Sequence, residues 1–184
     1  MKPIFGKDFA QHLKEVIAID SVTLPAEYVT SLEKLEERFH TFEDSFVGML
    51  DDTGRLVGYI NYFPLQEPTR ERLVQGEIPN DIFLGKTDIH HTFPDQPFDA
   101  YIITVAVLPE FQNGLVVRSL VLQFYIRMRA WAEASTHFRG IYASAVSDDG
   151  RRFLYRLGMR PLPGNPGLYY ATINQFFKAF DDAV

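Results

Sequence analysis

A mixed α/β sheet is the fold class that this 184-residue sequence predicts. Three features predict it. Residues 101–108 are apolar at both alternating sets of positions and rich in β-branched side chains, as a strand buried inside a sheet requires. Residues 115–134 then carry Leu120, Phe124, Met128 and Trp131 at helical spacing. A short apolar strand at 140–145 follows, so the three elements read as a right-handed crossover between parallel strands.

The other elements follow in order. Residues 8–19 predict a first helix, with Phe9, Leu13, Val16 and Ile17 on one face. A second spans 31–40, where Thr30-Ser31-Leu32-Glu33 reads as a capping box and Leu32, Leu35 and Phe39 form the apolar stripe. Residues 46–50 and 55–63 read as a hairpin turned by Asp51-Asp52-Thr53-Gly54. Between 64 and 99, Pro64, Pro68, Pro79, Pro94 and Pro97 leave room for at most one short helix, at 69–75. A connection that long inside a compact domain is usually functional or mobile. Past the crossover, a helix at 149–157 stops at Gly158, residues 168–173 form a further strand, and Phe176, Phe177 and Phe180 anchor a last helix. No repeat or linker interrupts the chain, so one domain is expected over 1–184, with an insertion at about 64–99.

Composition narrows the function. The net charge of −6 divides unevenly, −9 over residues 1–100 and +3 over 101–184, where eight of nine basic residues are Arg. An acidic chain argues against general nucleic-acid binding, while the Arg excess leaves room for a local anionic ligand. The absence of cysteine excludes disulfides, thiolate metal sites and a cysteine nucleophile. No apolar run approaches a membrane span and the first residues carry no apolar leader, so a cytoplasmic protein without membrane contact is expected. Nucleotide-binding glycine loops, H-E-x-x-H and G-x-S-x-G are all missing. Ser31-Leu32-Glu33-Lys34 matches S-x-x-K by chance, on an amphipathic helix without companion motifs.

Three segments carry a resemblance. Val105-Ala106-Val107-Leu108-Pro109-Glu110-Phe111-Gln112 is similar to the central motif of the GNAT superfamily of N-acetyltransferases, a strand of the form V-x-V-x-P-x-[YF]-[RQ]. Gly150 to Met159 resembles that family's later helix, which runs from an aromatic into Leu-Gly-Phe. Asp52 to Tyr59 resembles its hairpin, where a polar turn leads to [LI]-[VI]-G. The resemblance implies a single-domain GNAT-like fold, a mixed central β-sheet flanked by helices on both faces.

The resemblance further implies an acetyl-CoA-dependent N-acetyltransferase, in which an amine attacks the thioester directly in a ternary complex. Backbone of Val105, Ala106 and Val107 would hold the pantetheine arm and polarise the thioester carbonyl. The loop Gln112, Asn113, Gly114, Leu115, Val116 and Val117 would present N–H groups to the pyrophosphate, with Arg118 as a phosphate partner. That loop departs from [RQ]-x-x-G-x-[GA]: Gln112 fits, but Leu115 and Val117 stand at the glycine positions and Gly114 lies one place early. The family's thiolate-protonating tyrosine aligns with Leu154, and Tyr155, one residue later, is the nearest candidate acid. The acceptor is expected to be a small-molecule or peptide amine, and a homodimer is implied because family members are often dimers. The displaced glycine and tyrosine also support a rival reading, a catalytically inactive GNAT-fold binding or regulatory protein.

A general base is sought among Glu67, Asp88, His90, His91 and Asp99, which lie in or beside the insertion and read equally well as solvated loop residues. Thr104 reads either as a core hydroxyl or as part of the site, and Glu110 as a loop border. No metal site is expected, because the adjacent histidines lack a second ligand pair. Tyr59, Tyr62, Phe83, Phe93 and Phe98 are candidates to wall an acceptor pocket, though most of the 26 aromatic residues should be core.

Overall fold

The computed structural model describes residues 1–78, 81–112 and 114–182. The strands are β1 (Lys2–Phe5), β2 (Phe46–Leu50), β3 (Leu56–Leu65), β4 (Phe98–Val107), β5 (Phe138–Ser144), β6 (Arg160–Leu162) and β7 (Asn165–Thr172). The helices are α1 (Leu13–Thr23), α2 (Leu32–Thr41), α3 (Glu67–Val74), α4 (Leu115–Ala134), α5 (Asp148–Arg156) and α6 (Ile173–Asp181). One sheet takes the order β1-β2-β3-β4-β5-β7-β6. Neighbours are antiparallel except β4 and β5, the pair joined through α4. The expected mixed sheet and crossover are present.

Both faces of the sheet are covered. On β3, Tyr62 turns to one face and packs against Phe124 and Trp131 of α4, while Tyr59 turns to the other and meets Asp20 of α1. Trp131, 1% exposed, lies against Phe42, Tyr62, Phe93 and Phe138. Each such buried ring contributes roughly 1.5–3 kcal/mol of transfer free energy. Tyr59, Tyr62 and Phe98 are therefore core, Phe93 completes the Trp131 cluster, and Phe83 stands 77% exposed. That corrects the expectation of an aromatic acceptor wall: Tyr62, Phe93 and Phe98 are taken up in and beside the cluster between sheet and α4, Tyr59 in the core on the opposite face, and Phe83 points to solvent.

Several boundaries move. The first helix begins as a 3-10 turn over Gly6–His12, becomes α-helical at Leu13 and continues to Thr23, two residues before Pro25 forbids extension. Ser31, not Thr30, caps α2, its hydroxyl accepting from the Lys34 N–H at 3.2 Å. Thr30 is buried, with its hydroxyl turned toward Arg38. The region expected to be an insertion is tied to the sheet at both ends. β3 runs through Pro64 to Leu65, which pair with Ala100 and Asp99, and Leu65 forms a bridge to Ile89. Gly158 ends α5 at φ +79°, with Met159 N bonded to Leu154 O and Gly158 N to Tyr155 O, the doubly bonded left-handed stop its sequence position suggested. Two short strands, β1 and β6, were not expected. No helix among the described residues is long and apolar enough to cross a membrane.

Candidate active site

The parallel pair at the centre of the sheet forks. β4 and β5 stay paired as far as Ile102 and Ala143, after which β4 continues from Ile103 to Val107 with β3 as its strand partner. A bulge lies at the branch: Asn61 faces Thr104 and Tyr62 faces Ile102, leaving Ile103 as the extra residue. Bulges bend a strand and re-aim its side chains, often next to active sites. Ile103, Thr104 and Val105 are half-buried, in a strand otherwise buried throughout.

A cavity of about 130 Å³ occupies the fork, between Ile102 to Val105, Ala143 and Ser144 of β5, and Ser147, Gly150 and Leu154 at α5. A second, of about 310 Å³, adjoins it and reaches Leu73, Ile78, Asn165 and Leu168. Tyr28, Asp81, Ser144, Ala145 and Val146 belong to both walls. Among the described residues, Asp81 is the one carboxylate on that shared wall.

Its setting is built from the core outward. Tyr101 of β4, fully buried, donates its phenol proton to Asp81 Oδ2 at 2.5 Å, and Ser144 Oγ lies 3.1 Å from the same phenol. Arg38 of α2, also fully buried, donates from Nε to Leu84 O at 2.9 Å and from Nη2 to Ile82 O at 2.5 Å. That guanidinium pins the backbone that follows Asp81. Burial pushes the Asp81 carboxyl above the usual carboxylate range, opposed by the Tyr101 hydrogen bond and the Arg38 charge. The residue as a whole keeps part of its surface open while its carboxyl is closely surrounded by protein. Under the fork, the Thr104 hydroxyl interacts with Tyr59, and Tyr59 donates to Asp20, whose carboxyl burial drives up to about 6. Thr104 thus both lines the cavity and belongs to a core network.

No family model and no curated protein matches the sequence. Solved structures match the fold. A GNAT-like decarboxylase, GphF, in complex with isobutyryl-CoA superposes with a TM-score of 0.65 at 15% identity, covering 94% of this chain and 100% of that one. AtaTR bound with acetyl-CoA gives 0.62 at 14% identity, covering 97% of each chain. An acetyltransferase of the GNAT family from Staphylococcus aureus Mu50 gives 0.56 at 13%, covering 94% and 98%. The fold is GNAT-like.

Within this GNAT-like fold the expected site residues fall in three places. Val105 lines the fork, and Ala106 and Val107 continue the open stretch of β4 with their side chains buried. Gln112 follows a 3-10 turn and donates from Nε2 to Val107 O at 2.9 Å, tying the loop to the strand end. Asn113 lies outside the described residues. Gly114 is the N-cap of α4 at φ +79°, where an added Cβ would meet nothing within 4 Å; here backbone angle, not space, calls for glycine. Leu115 is 67% exposed, Val116 buried and Val117 half-buried. The first turn of α4 contains no acidic residue and no side-chain cap, and Arg118 is exposed beside it. Its free N–H groups and positive dipole end suit an anion.

Tyr155 is the third place. Its ring packs edge-on against Tyr169 and carries Arg160 at 5.3 Å, whereas Gly150, Phe153 and Leu154 are the described α5 residues that line the fork. The roughly 100° between consecutive helical residues separates Tyr155 from Leu154.

The expected bases lie elsewhere. Asp99 and Glu67 form an ion network with Arg139 and Arg70. Asp88 ties its loop to α3, accepting from Thr69 Oγ1 at 2.8 Å, and closes the loop by accepting from the Gly85 N–H at 2.9 Å. Glu110 faces Arg55 at 3.6 Å. None of these, nor His90 or His91, lines either cavity, and no metal-holding cluster of acids and histidines occurs among the described residues. Asp81 was the carboxylate missed. It sits between Pro79 and Pro94 with no motif around it, and its distance in sequence from Tyr101 and Arg38 hid the signal.

Proposed function

We propose that the protein transfers an acyl group, acetyl first among the candidates, from an acyl-CoA to an amine. The observation that carries this reading is the placement of Asp81 on the wall shared by the fork and the adjoining cavity. The fork is where a thioester would lie against open β4 backbone, and two structures of similar fold hold isobutyryl-CoA and acetyl-CoA. The residues fit such a donor. Backbone from Val105 to Val107 has an open edge toward the fork, and the loop from Gln112 to Arg118 ends in a helix start free of acid. Leu115, turned to solvent, does not fill that approach.

The chemistry follows from these positions. An acceptor arrives as an ammonium ion and must lose a proton before its nitrogen lone pair can attack. The Asp81 carboxylate takes that proton, its proton affinity raised by burial. The nitrogen then bonds to the thioester carbon while open β4 N–H groups stabilise the negative charge on its oxygen. As the C–S bond breaks, the thiolate is reprotonated. Tyr28 lines both cavities and Tyr155 lines neither, so we assign that proton to Tyr28. No covalent enzyme intermediate is needed, in keeping with a chain without cysteine.

Calorimetric titration with acetyl-CoA tests the reading. Micromolar binding, with CoA release on addition of an amine, supports it. A rival, a binding or regulatory protein without transfer, draws on the glycine-poor loop and the position of Tyr155. Absence of binding at millimolar acetyl-CoA and longer acyl-CoAs would favour that rival.

A further inference from the structure

The adjoining cavity has a lopsided chemistry. Leu73, Ile78, Val146 and Leu168 supply apolar wall, Tyr28, Ser144 and Asn165 uncharged polar wall, Gly76 and Gly167 space, and Asp81 is its charged group. Among the described residues, neither cavity is lined by a Lys, Arg or His. The nearby Arg38 is no substitute, since Leu84 O, Ile82 O and Thr30 Oγ1 already occupy its three nitrogens. Asn165, which carries no charge, donates from Nδ2 to Leu73 O at 2.9 Å.

From this lining we infer that the acceptor is a monoamine whose single positive charge meets Asp81 and whose body is compact, without a carboxylate or phosphate. The inference rests on the acyltransfer reading above and names the substrate class for it. An acceptor carboxylate would enter a pocket holding a like charge and no cation, and such juxtaposition costs several kcal/mol. A polyamine would bring further ammonium groups to a wall with one carboxylate. Size agrees. A volume of about 150 Å³ is enough for a benzene ring, and this mixed-lined cavity measures about 310 Å³, which leaves room for a ring and a short arm.

The reaction balances without a co-reactant. The ammonium gives one proton to Asp81 and its nitrogen forms the amide bond to the acyl carbon. The C–S electron pair departs on sulfur and is protonated as the thiol, so acyl-CoA and ammonium become amide, CoA thiol and one released proton.

The test is a comparison of 2-phenylethylamine, phenylalanine, spermidine and a lysine-containing peptide as acceptors for acetyl-CoA, read by CoA thiol release and by mass of the acetylated product. Phenylalanine carries the same ring and amine plus a carboxylate, so kcat/KM for 2-phenylethylamine should exceed it at least about a hundredfold. Val146 borders both cavities and is 49% exposed, so V146R tests the same point without burying a charge. It should narrow that ratio at least about tenfold by supplying the missing cation. If acetyl-CoA binds but phenylalanine, spermidine or the peptide is the better acceptor, or V146R leaves the ratio unchanged, the substrate class is wrong and the transferase reading stands. If acetyl-CoA itself fails to bind in the calorimeter, both fall.

Discussion

Tyr101 Oη and Asp81 Oδ2 lie 2.5 Å apart, and that hydrogen bond joins the central strand to a loop twenty residues earlier in the chain. It fixes a carboxylate at the meeting of two cavities, with one flank held by a buried phenol. Asp81→Asn keeps size and hydrogen bonding but removes the base. The variant should lose about 10²- to 10⁴-fold in kcat, with acetyl-CoA affinity unchanged by calorimetry. In the parent protein, the acid limb of the kcat/KM profile should lie above the ordinary carboxylate range, because burial raises Asp81. A profile flat through that region would assign the proton elsewhere.

Arg38 is predicted to act on the same carboxylate through the backbone. Arg38→Lys preserves the charge and loses the planar fork that spans Ile82 O and Leu84 O. Chemical denaturation should show a loss of about 1–3 kcal/mol. The amine KM should rise while acetyl-CoA affinity stays within about threefold. Equal losses for both ligands would mean general loosening instead.

Asp20 predicts a pH dependence of stability. Its folded carboxyl titrates at about 6 against an ordinary 3.8, burial being the largest cause. The folded state therefore holds a proton that the unfolded chain releases, and stability falls as pH rises from about 4 to about 7. The full linkage is about 3 kcal/mol at most. Asp20→Asn still accepts the Tyr59 hydrogen bond and has no charge to bury. Its stability relative to the parent should therefore improve by about 2 kcal/mol between pH 4.5 and 7.5. Parallel stability curves for the two proteins would contradict this.

Gly140, on β5, is predicted to tolerate no side chain. A Cβ there would sit 2.4 Å from Ala171 O and 2.5 Å from Tyr170 Oη, and the first of these is backbone of β7. Gly140→Ala should cost roughly 1–3 kcal/mol in equilibrium unfolding. A neutral result would show that β5 and β7 shift freely.

Much of the fold was legible in the sequence. α4 announces itself because its apolar residues recur at the helical period over many residues, β4 because it is a continuous β-branched apolar run, and Gly158 because a helix stop needs a positive φ. β1 and β6 did not, since a four-residue and a three-residue strand carry too few side chains for a period and exist because a neighbour's edge accepts them. At the site, the open stretch of β4 and the loop beyond it were readable as motif. Asp81 was not, because its significance depends on Tyr101 and Arg38, which no local pattern connects to it.

Periodicity and turn chemistry in the sequence alone thus determined a mixed sheet and its central crossover, and the resemblance of residues 105–112 to a known motif implied the place of the fork along the chain. Tertiary structure decided which acid faces the fork: Asp99, Glu67 and Asp88 were drawn into ion pairs and loop clasps, and Asp81 was left on the cavity wall. It also decided that Leu154 rather than Tyr155 turns inward. The physical reason is that helical and strand periods arise from neighbours a few residues apart, whereas burial, charge pairing and cavity lining depend on groups that meet only when the sheet closes.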